Sequence, residues 1–223
     1  MADLTLFAHP FSSYCQKALI ALYENDTPFS FRTLHFDGSD PATLEDFAAL
    51  WPLKRMPLLA DRGRPVAEAT VIIEHLHLHH PGPVRLLPDD PDAALQVRFL
   101  DRFFDNYVHT PLQRIVFDAI RAPADRHPPS VAESRTLLEG AYAWLEDHMA
   151  GRTWAAGEAF SLADCAAAPA LFYADWVHPI DDARFSRVRA YRSRLNARPS
   201  FARAIDEARP YRALFPLGAP ERD

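Results

Sequence analysis

Hydroxyl and thiol side chains crowd one short stretch, Phe7-Ala8-His9-Pro10-Phe11-Ser12-Ser13-Tyr14-Cys15-Gln16-Lys17. Leu4-Thr5-Leu6-Phe7 before it reads as a short strand. Beyond it Cys15, Ala18, Leu19 and Leu22 fall at helical spacing. Ser12 and Ser13 therefore sit where a strand ends and a helix begins. The first turn of a helix has unpaired N–H groups and the positive end of the dipole, which favour an anion such as a thiolate. Ser13-x-x-Gln16 matches a capping box with Ser13 as N-cap, leaving the Ser12 side chain free outside the helix. The two serines read equally as caps and nothing more. Cys15 reads as a thiol activated by the helix end or as a small core residue, and its place on the apolar stripe favours the core.

Three other groups carry chemistry. In Arg55-Met56-Pro57-Leu58, a cis Met56–Pro57 bond would turn the Met56 N–H and C=O outward for an extended peptide to pair with, whereas a trans proline would merely end a loop. In Glu68-Ala69-Thr70, the carboxylate at a helix start either favours its own helix or accepts from a ligand ammonium. In the second case the N–H groups behind it bind that ligand's carboxylate. His75, His77, His79 and His80 cluster, with His75 and His79 on one helix face. Only Glu74 lies nearby as an acidic ligand, on another azimuth. The expectation is therefore no metal, with the histidines favouring a helix C-terminus. Phe103, Phe104, Tyr107 and Trp176 are weak candidates for an apolar pocket, since aromatics at helical spacing usually form core.

The elements that must position these residues alternate at first. Strands are expected over 4–7, 29–34, 58–60 and 65–67, and helices over 13–24, 40–50 and 68–79, with a hairpin-like turn over 61–64. This β-α-β-α-β-β-α order is that of a thioredoxin-like domain. Four prolines between 81 and 91 mark a linker. Beyond it the pattern is helical: 92–120, with Leu95, Phe99, Phe103 and Tyr107 on one stripe and a kink at Pro111, then 131–149, 162–177, 184–196 and 199–209. Ser161-x-x-Asp164 caps the third of these. The fold class is thus an α/β thioredoxin-like N-terminal domain (1–80), a linker (81–91) and an all-α C-terminal domain (92–223).

The 223 residues can bury a substantial core. A formal charge of −6 argues against general nucleic-acid binding, which depends on phosphate neutralisation. The arginines between Arg184 and Arg212 are interleaved with apolar residues and read as a solvated face. Two cysteines, far apart, imply no disulfide framework and suit a reducing cytoplasm. Neither a signal peptide nor a membrane-spanning stretch is expected, so no membrane partner is.

The residues Ser12 to Lys17, Met56-Pro57-Leu58-Leu59, Glu68-Ala69-Thr70-Val71-Ile72-Ile73-Glu74-His75-Leu76 and Phe160-Ser161-Leu162-Ala163-Asp164, in this order and spacing, resemble the soluble glutathione S-transferases, in a serine-type, bacterial-like form. The resemblance implies a glutathione S-transferase fold, glutathione as co-substrate, a small hydrophobic electrophile, a homodimer and a role in detoxification. It places Ser12 where serine-type members carry the catalytic hydroxyl, with adjoining Ser13 as the alternative. Met56, beside a cis Pro57, would pair with the cysteinyl part of glutathione. Arg55 would meet the glycyl carboxylate. Glu68 would hold the γ-glutamyl ammonium, with the Ala69 and Thr70 amides at its carboxylate. Phe103, Tyr107 and Trp176 would line the electrophile pocket. Two rivals share the fold: a thiol oxidoreductase working through Cys15, and a non-catalytic binding protein. The family's serine after the glutamate is Ala69 here, so one hydroxyl contact is missing unless Thr70 supplies it.

Overall fold

The computed structural model describes residues 3–223. β1 (Leu4–Ala8) is central in a four-stranded sheet of order β2-β1-β3-β4. It pairs in parallel with β2 (Ser30–Thr33) and antiparallel with β3 (Leu58–Asp61), which turns into β4 (Arg64–Ala67). The period of two along β1 divides its side chains between two faces. Leu4, Leu6 and Ala8 enter the large core with α1 (Ser13–Glu24) and α3 (Ala69–His79). Phe7 points the other way, onto Phe47 of α2 (Pro41–Leu50), with Leu34, Leu58 and Ala60.

Helices α4 (Pro91–Phe103), α5 (Thr110–Ile120), α6 (Pro128–His148), α7 (Leu162–Val177), α8 (Ser186–Asn196) and α9 (Pro199–Ala208) make the second half. α7, rich in alanine and buried along almost its whole length, packs on α1, α4 and α8. With the sheet and α3 on its other sides, α1 is buried from Cys15 to Leu22. Between the halves, residues 81–90 hold no helix or strand, yet they are fastened down. The Asn25 amide exchanges hydrogen bonds with the Val84 backbone, and the Leu162 N–H donates to the Leu86 C=O. A Cβ at Gly82 would overlap the Asn25 side chain at 2.4 Å, so only glycine lets the chain pass there.

Two expectations for residues 92–120 need correction. Leu95, Phe99 and Tyr107 do not face the core; they are exposed, and of that stripe only Phe103 is buried. The core is filled instead by Val97, Leu100, Phe104 and Val108. The helix has apolar residues on two faces, and α7 selects one of them. The helix is also interrupted before Pro111, by a π-helical turn over Phe104–His109. Proline has no N–H to give the carbonyl four residues back, so the regular ladder cannot continue through it. The ladder opens by one residue, and the Thr110 N–H and hydroxyl both donate to the Asp105 C=O.

Ser161 and Asp164 cap α7 as expected. The buried Asp164 carboxylate accepts from the Ser161 N–H (2.9 Å), the Ala155 N–H (2.8 Å) and the Tyr191 hydroxyl (2.6 Å). It thereby ties α7 to α8 and to the preceding loop. Asp164→Ala strands these donors in the core and is expected to cost roughly 3 kcal/mol in urea unfolding. A loss below about 1 kcal/mol, the size of one ordinary hydrogen bond, would show that the carboxylate is not a structural tie.

Candidate functional site at the α1 and α3 N-termini

The structure reverses the expected roles at the start of α1. Ser12, not Ser13, is the N-cap residue: its backbone is extended and its C=O accepts from the Gln16 N–H at 2.9 Å. Its side chain makes no capping bond. Ser13 is the first helical residue, and its hydroxyl lies 2.8 Å from His109 Nε2. The Ser13–Gln16 capping box does not form. Gln16 is buried, and its amide donates to the Pro10 C=O and the Tyr173 hydroxyl, because a buried amide takes the partners enclosed with it. The half-buried Ser12 side chain rests against the Cys15 thiol. Cys15 is fully buried, and burial pushes its thiol up to about 11 against the opposing contacts from Ser12 and the His9 backbone. This is a core thiol, protonated at neutral pH.

A cleft of about 220 Å³ opens beside α1, lined by Tyr14, Glu68, Ala69, Thr70, Val71, Arg102 and Asp105; Ser12, Arg55 and Met56 are not part of this lining. Its floor is an ionic cluster that sequence reasoning missed. Lys17, buried in α1, places Nζ 2.6 Å from Asp101 and 2.9 Å from Asp105, and donates to the Thr70 hydroxyl at 2.9 Å. Arg102 caps the cluster from solvent, bonding Asp101 and Asp105 at 2.6 Å each and Thr70 as well. Burial raises the Asp105 carboxyl above its usual range, and Lys17 and Arg102 oppose that. Two cations balance two carboxylates, as burial of charge requires. An acidic pair four residues apart on a helix was visible in the sequence. Nothing there linked it to a lysine some eighty residues earlier.

Glu68 holds φ at +71°, a left-handed conformation rare outside glycine, which costs about 1–3 kcal/mol. It is exposed at the lip of the cleft, and its side chain does not cap α3. The Ala69 and Thr70 N–H groups behind it belong to the first helical turn, which has no acceptor within the helix. The Thr70 Oγ1 is engaged by Lys17, Asp101 and Arg102. The Met56–Pro57 bond is cis. Met56 precedes β3, whose pairs begin at Leu58, and Arg55 beside it is exposed.

His109, also missed, is brought to α1 by the π-helical turn. It stacks on Tyr14 with ring centroids 4.3 Å apart. Burial, and then Lys17, push its imidazole down to about 3. Burial and Asp105 raise the Tyr14 phenol, so both rings are neutral at pH 7. The proposed apolar pocket residues fall into two aromatic groups. Phe103 and Tyr107 pack together, with Trp144 against Phe103, whereas Trp176 packs with Phe11, Tyr173 and Phe215.

Residues 6–84 match the family model "Glutathione S-transferase, N-terminal domain", and residues 128–194 match "Glutathione S-transferase, C-terminal domain". A glutathione S-transferase from Methylobacterium radiotolerans, solved in complex with glutathione sulfonate, is 32% identical with a TM-score of 0.77, over 91% of this chain and 94% of that one. Glutathione S-transferase U25 of Arabidopsis thaliana is 28% identical over 70% of this chain, which spans 65% of the plant protein's length. FtsZ-localized protein A of Caulobacter vibrioides is 27% identical over 89% of each chain.

The buried His109 makes stability depend on pH. Below its ordinary value of 6.5 the unfolded chain takes up a proton that the folded chain refuses until about pH 3. The neutral ring's contribution is therefore complete above pH 6.5 and is lost as the pH falls through this window. At pH 5 the loss is roughly 2 kcal/mol relative to pH 7. Urea unfolding at both pH values should show His109→Gln losing less on acidification than the wild type; equal losses would remove His109 as the cause.

Proposed function

Because the chain belongs to the glutathione S-transferase family, we propose that it binds glutathione across the cleft and that Ser12 holds the glutathione thiolate for attack on a hydrophobic electrophile. The observation that carries this reading is the backbone-only cap at Ser12. Its hydroxyl stands half-buried at the positive end of α1, where it can donate to a sulfur anion. Ser13 is less suited, since its hydroxyl is held by the buried His109 ring at 2.8 Å, whereas the Ser12 hydroxyl has only the protonated Cys15 thiol, a weak partner, beside it.

The remaining contacts follow the polarity of the tripeptide. Glu68 accepts from the γ-glutamyl ammonium, and the Ala69 and Thr70 amides receive the adjacent carboxylate. The Met56 backbone pairs with the cysteinyl unit, and Arg55 meets the glycyl carboxylate. The thiolate sulfur then bonds to the electrophilic atom as the leaving group departs with its electron pair. With a peroxide the thiolate bonds to one oxygen as the O–O bond breaks and the alcohol leaves, and a second glutathione converts the resulting sulfenic acid to glutathione disulfide and water. Catalysis here consists of lowering the thiol pKa and positioning the anion. A route through Cys15 is disfavoured by the burial and raised pKa of its thiol. The exposed Leu95, Phe99 and Tyr107, continued by Trp144, give a face that a second copy would bury in a homodimer. The free cysteines suit a reducing cytoplasm.

Glutathione binding by calorimetry and conjugation to 1-chloro-2,4-dinitrobenzene test this reading. Ser12→Ala should lower turnover roughly 100-fold, as loss of one donor to a developing anion does, with glutathione affinity little changed. Ser13→Ala and Cys15→Ser should retain most activity. Loss of turnover in Ser13→Ala alone would move the assignment to that residue. No heat of glutathione binding would leave a non-catalytic interaction protein as the reading.

A further inference from the structure

At the other end of α3 lies a second group of residues that the glutathione reading does not use. Spacing alone pairs His75 with His79; folding instead brings Asp61, at the end of β3, between His75 and His80. His75 Nε2 is 2.9 Å from Asp61 Oδ2, and His80 Nε2 is 2.8 Å from the same oxygen. The candidate donor atoms all lie within 4.8 Å of one another. The three side chains are 12–19% exposed, so the group is walled by protein with one side open.

We propose that Asp61, His75 and His80 form a site for a borderline divalent transition metal, zinc above all. Two imidazoles and one carboxylate are the donors such an ion takes, with water in the open fourth position. A second feature also points to a ligand. The other oxygen, Asp61 Oδ1, is buried and accepts no hydrogen bond; Arg62 Nε stands 3.5 Å away. A buried carboxylate oxygen that accepts no hydrogen bond, with only a loose contact to an exposed guanidinium, is uncommon in a folded protein.

The geometry needs little change to admit the ion. Two ligands about 2.05 Å from a tetrahedral centre stand about 3.3 Å apart. Each imidazole must therefore recede from the carboxylate by roughly 0.5 Å and carry its proton on Nδ1 instead of Nε2. His80 follows the last turn of α3, and Asp61 opens a hairpin turn, so small side-chain shifts suffice. The bound ion would clasp the β3–β4 hairpin to the end of α3. With 11 residues in α3, it lies roughly 16 Å from Glu68 and the cleft. It therefore stabilises the fold without entering the reaction.

The test uses the full chain without a histidine tag, stripped with chelator. Zinc titration by calorimetry should give one ion per chain and a higher melting temperature. Cobalt(II) should give the intense visible bands of a tetrahedral site. Asp61→Asn, His75→Gln and His80→Gln should each weaken zinc binding at least about tenfold. Melting of each variant without metal checks that it folds; should His75→Gln fail to fold, Asp61→Asn and His80→Gln decide. His77→Gln combined with His79→Gln should leave binding intact, as should Ser12→Ala, which separates this site from the glutathione reading. No stoichiometric binding, binding that survives Asp61→Asn, or binding lost only with His77 and His79 would each overturn the proposal.

Discussion

The buried contact of Lys17 with Asp101 and Asp105 is the constraint on which the rest of the cleft depends. It joins α1 to α4 and the π-helical turn, and through Thr70 it takes hold of the first turn of α3. Withdrawing these charges from water is costly, so the cluster is favourable only when every member is present. That requirement makes it a strict gauge of position. Were α1 displaced along its axis, the ammonium would lose its carboxylates. The same placement sets Ser12, five residues earlier, and, through Thr70, the first turn of α3.

The π-helical turn is the second part of this arrangement. Pro111 prevents a regular ladder, and the extra residue in the turn directs Asp105 and His109 toward α1. A backbone irregularity forced by one residue thus supplies two of the groups around the helix start. Glu68 adds another irregularity, a left-handed backbone at the cleft's lip. Such departures are kept where surrounding structure over-determines them. Here α3 packs on α1 on one side, and Glu68 directly follows β4 on the other. The helix so held presents chemistry at both ends: unpaired amides at its start, and two imidazoles converging on a carboxylate at its finish.

Much of this was legible in the chain. The order of strands and helices followed from periodicity and from proline and glycine punctuation. α1 matched its expected span, and the Ser161–Asp164 cap was read from its motif. Ser12, Met56, Pro57 and Glu68 were singled out by residue type and spacing, and the structure arranges them around one end of the sheet. The apolar stripe of α1 was read correctly, with Cys15 in the core; what failed were two inferences that depended on which neighbour would claim a face or a side chain. The stripe of Leu95, Phe99 and Tyr107 is as regular as the buried one, but α7 lies on the other side. Ser13 and Gln16 have the spacing of a capping box, but His109 and Tyr173 claim their side chains.

The sequence by itself determined the local matters: the order of strands and helices, the punctuation between them, and which residue types stand near the helix ends. These depend on backbone conformation and short-range hydrogen bonds, whose partners lie within a few positions. Only the tertiary structure decided which groups meet across long separations: Lys17 with Asp101 and Asp105, Ser13 with His109, and Asp61 with His75 and His80. A charged or polar side chain carries no mark of its distant partner. The pairing emerges when apolar faces pack and the buried polar groups must find donors and acceptors among whatever is enclosed with them.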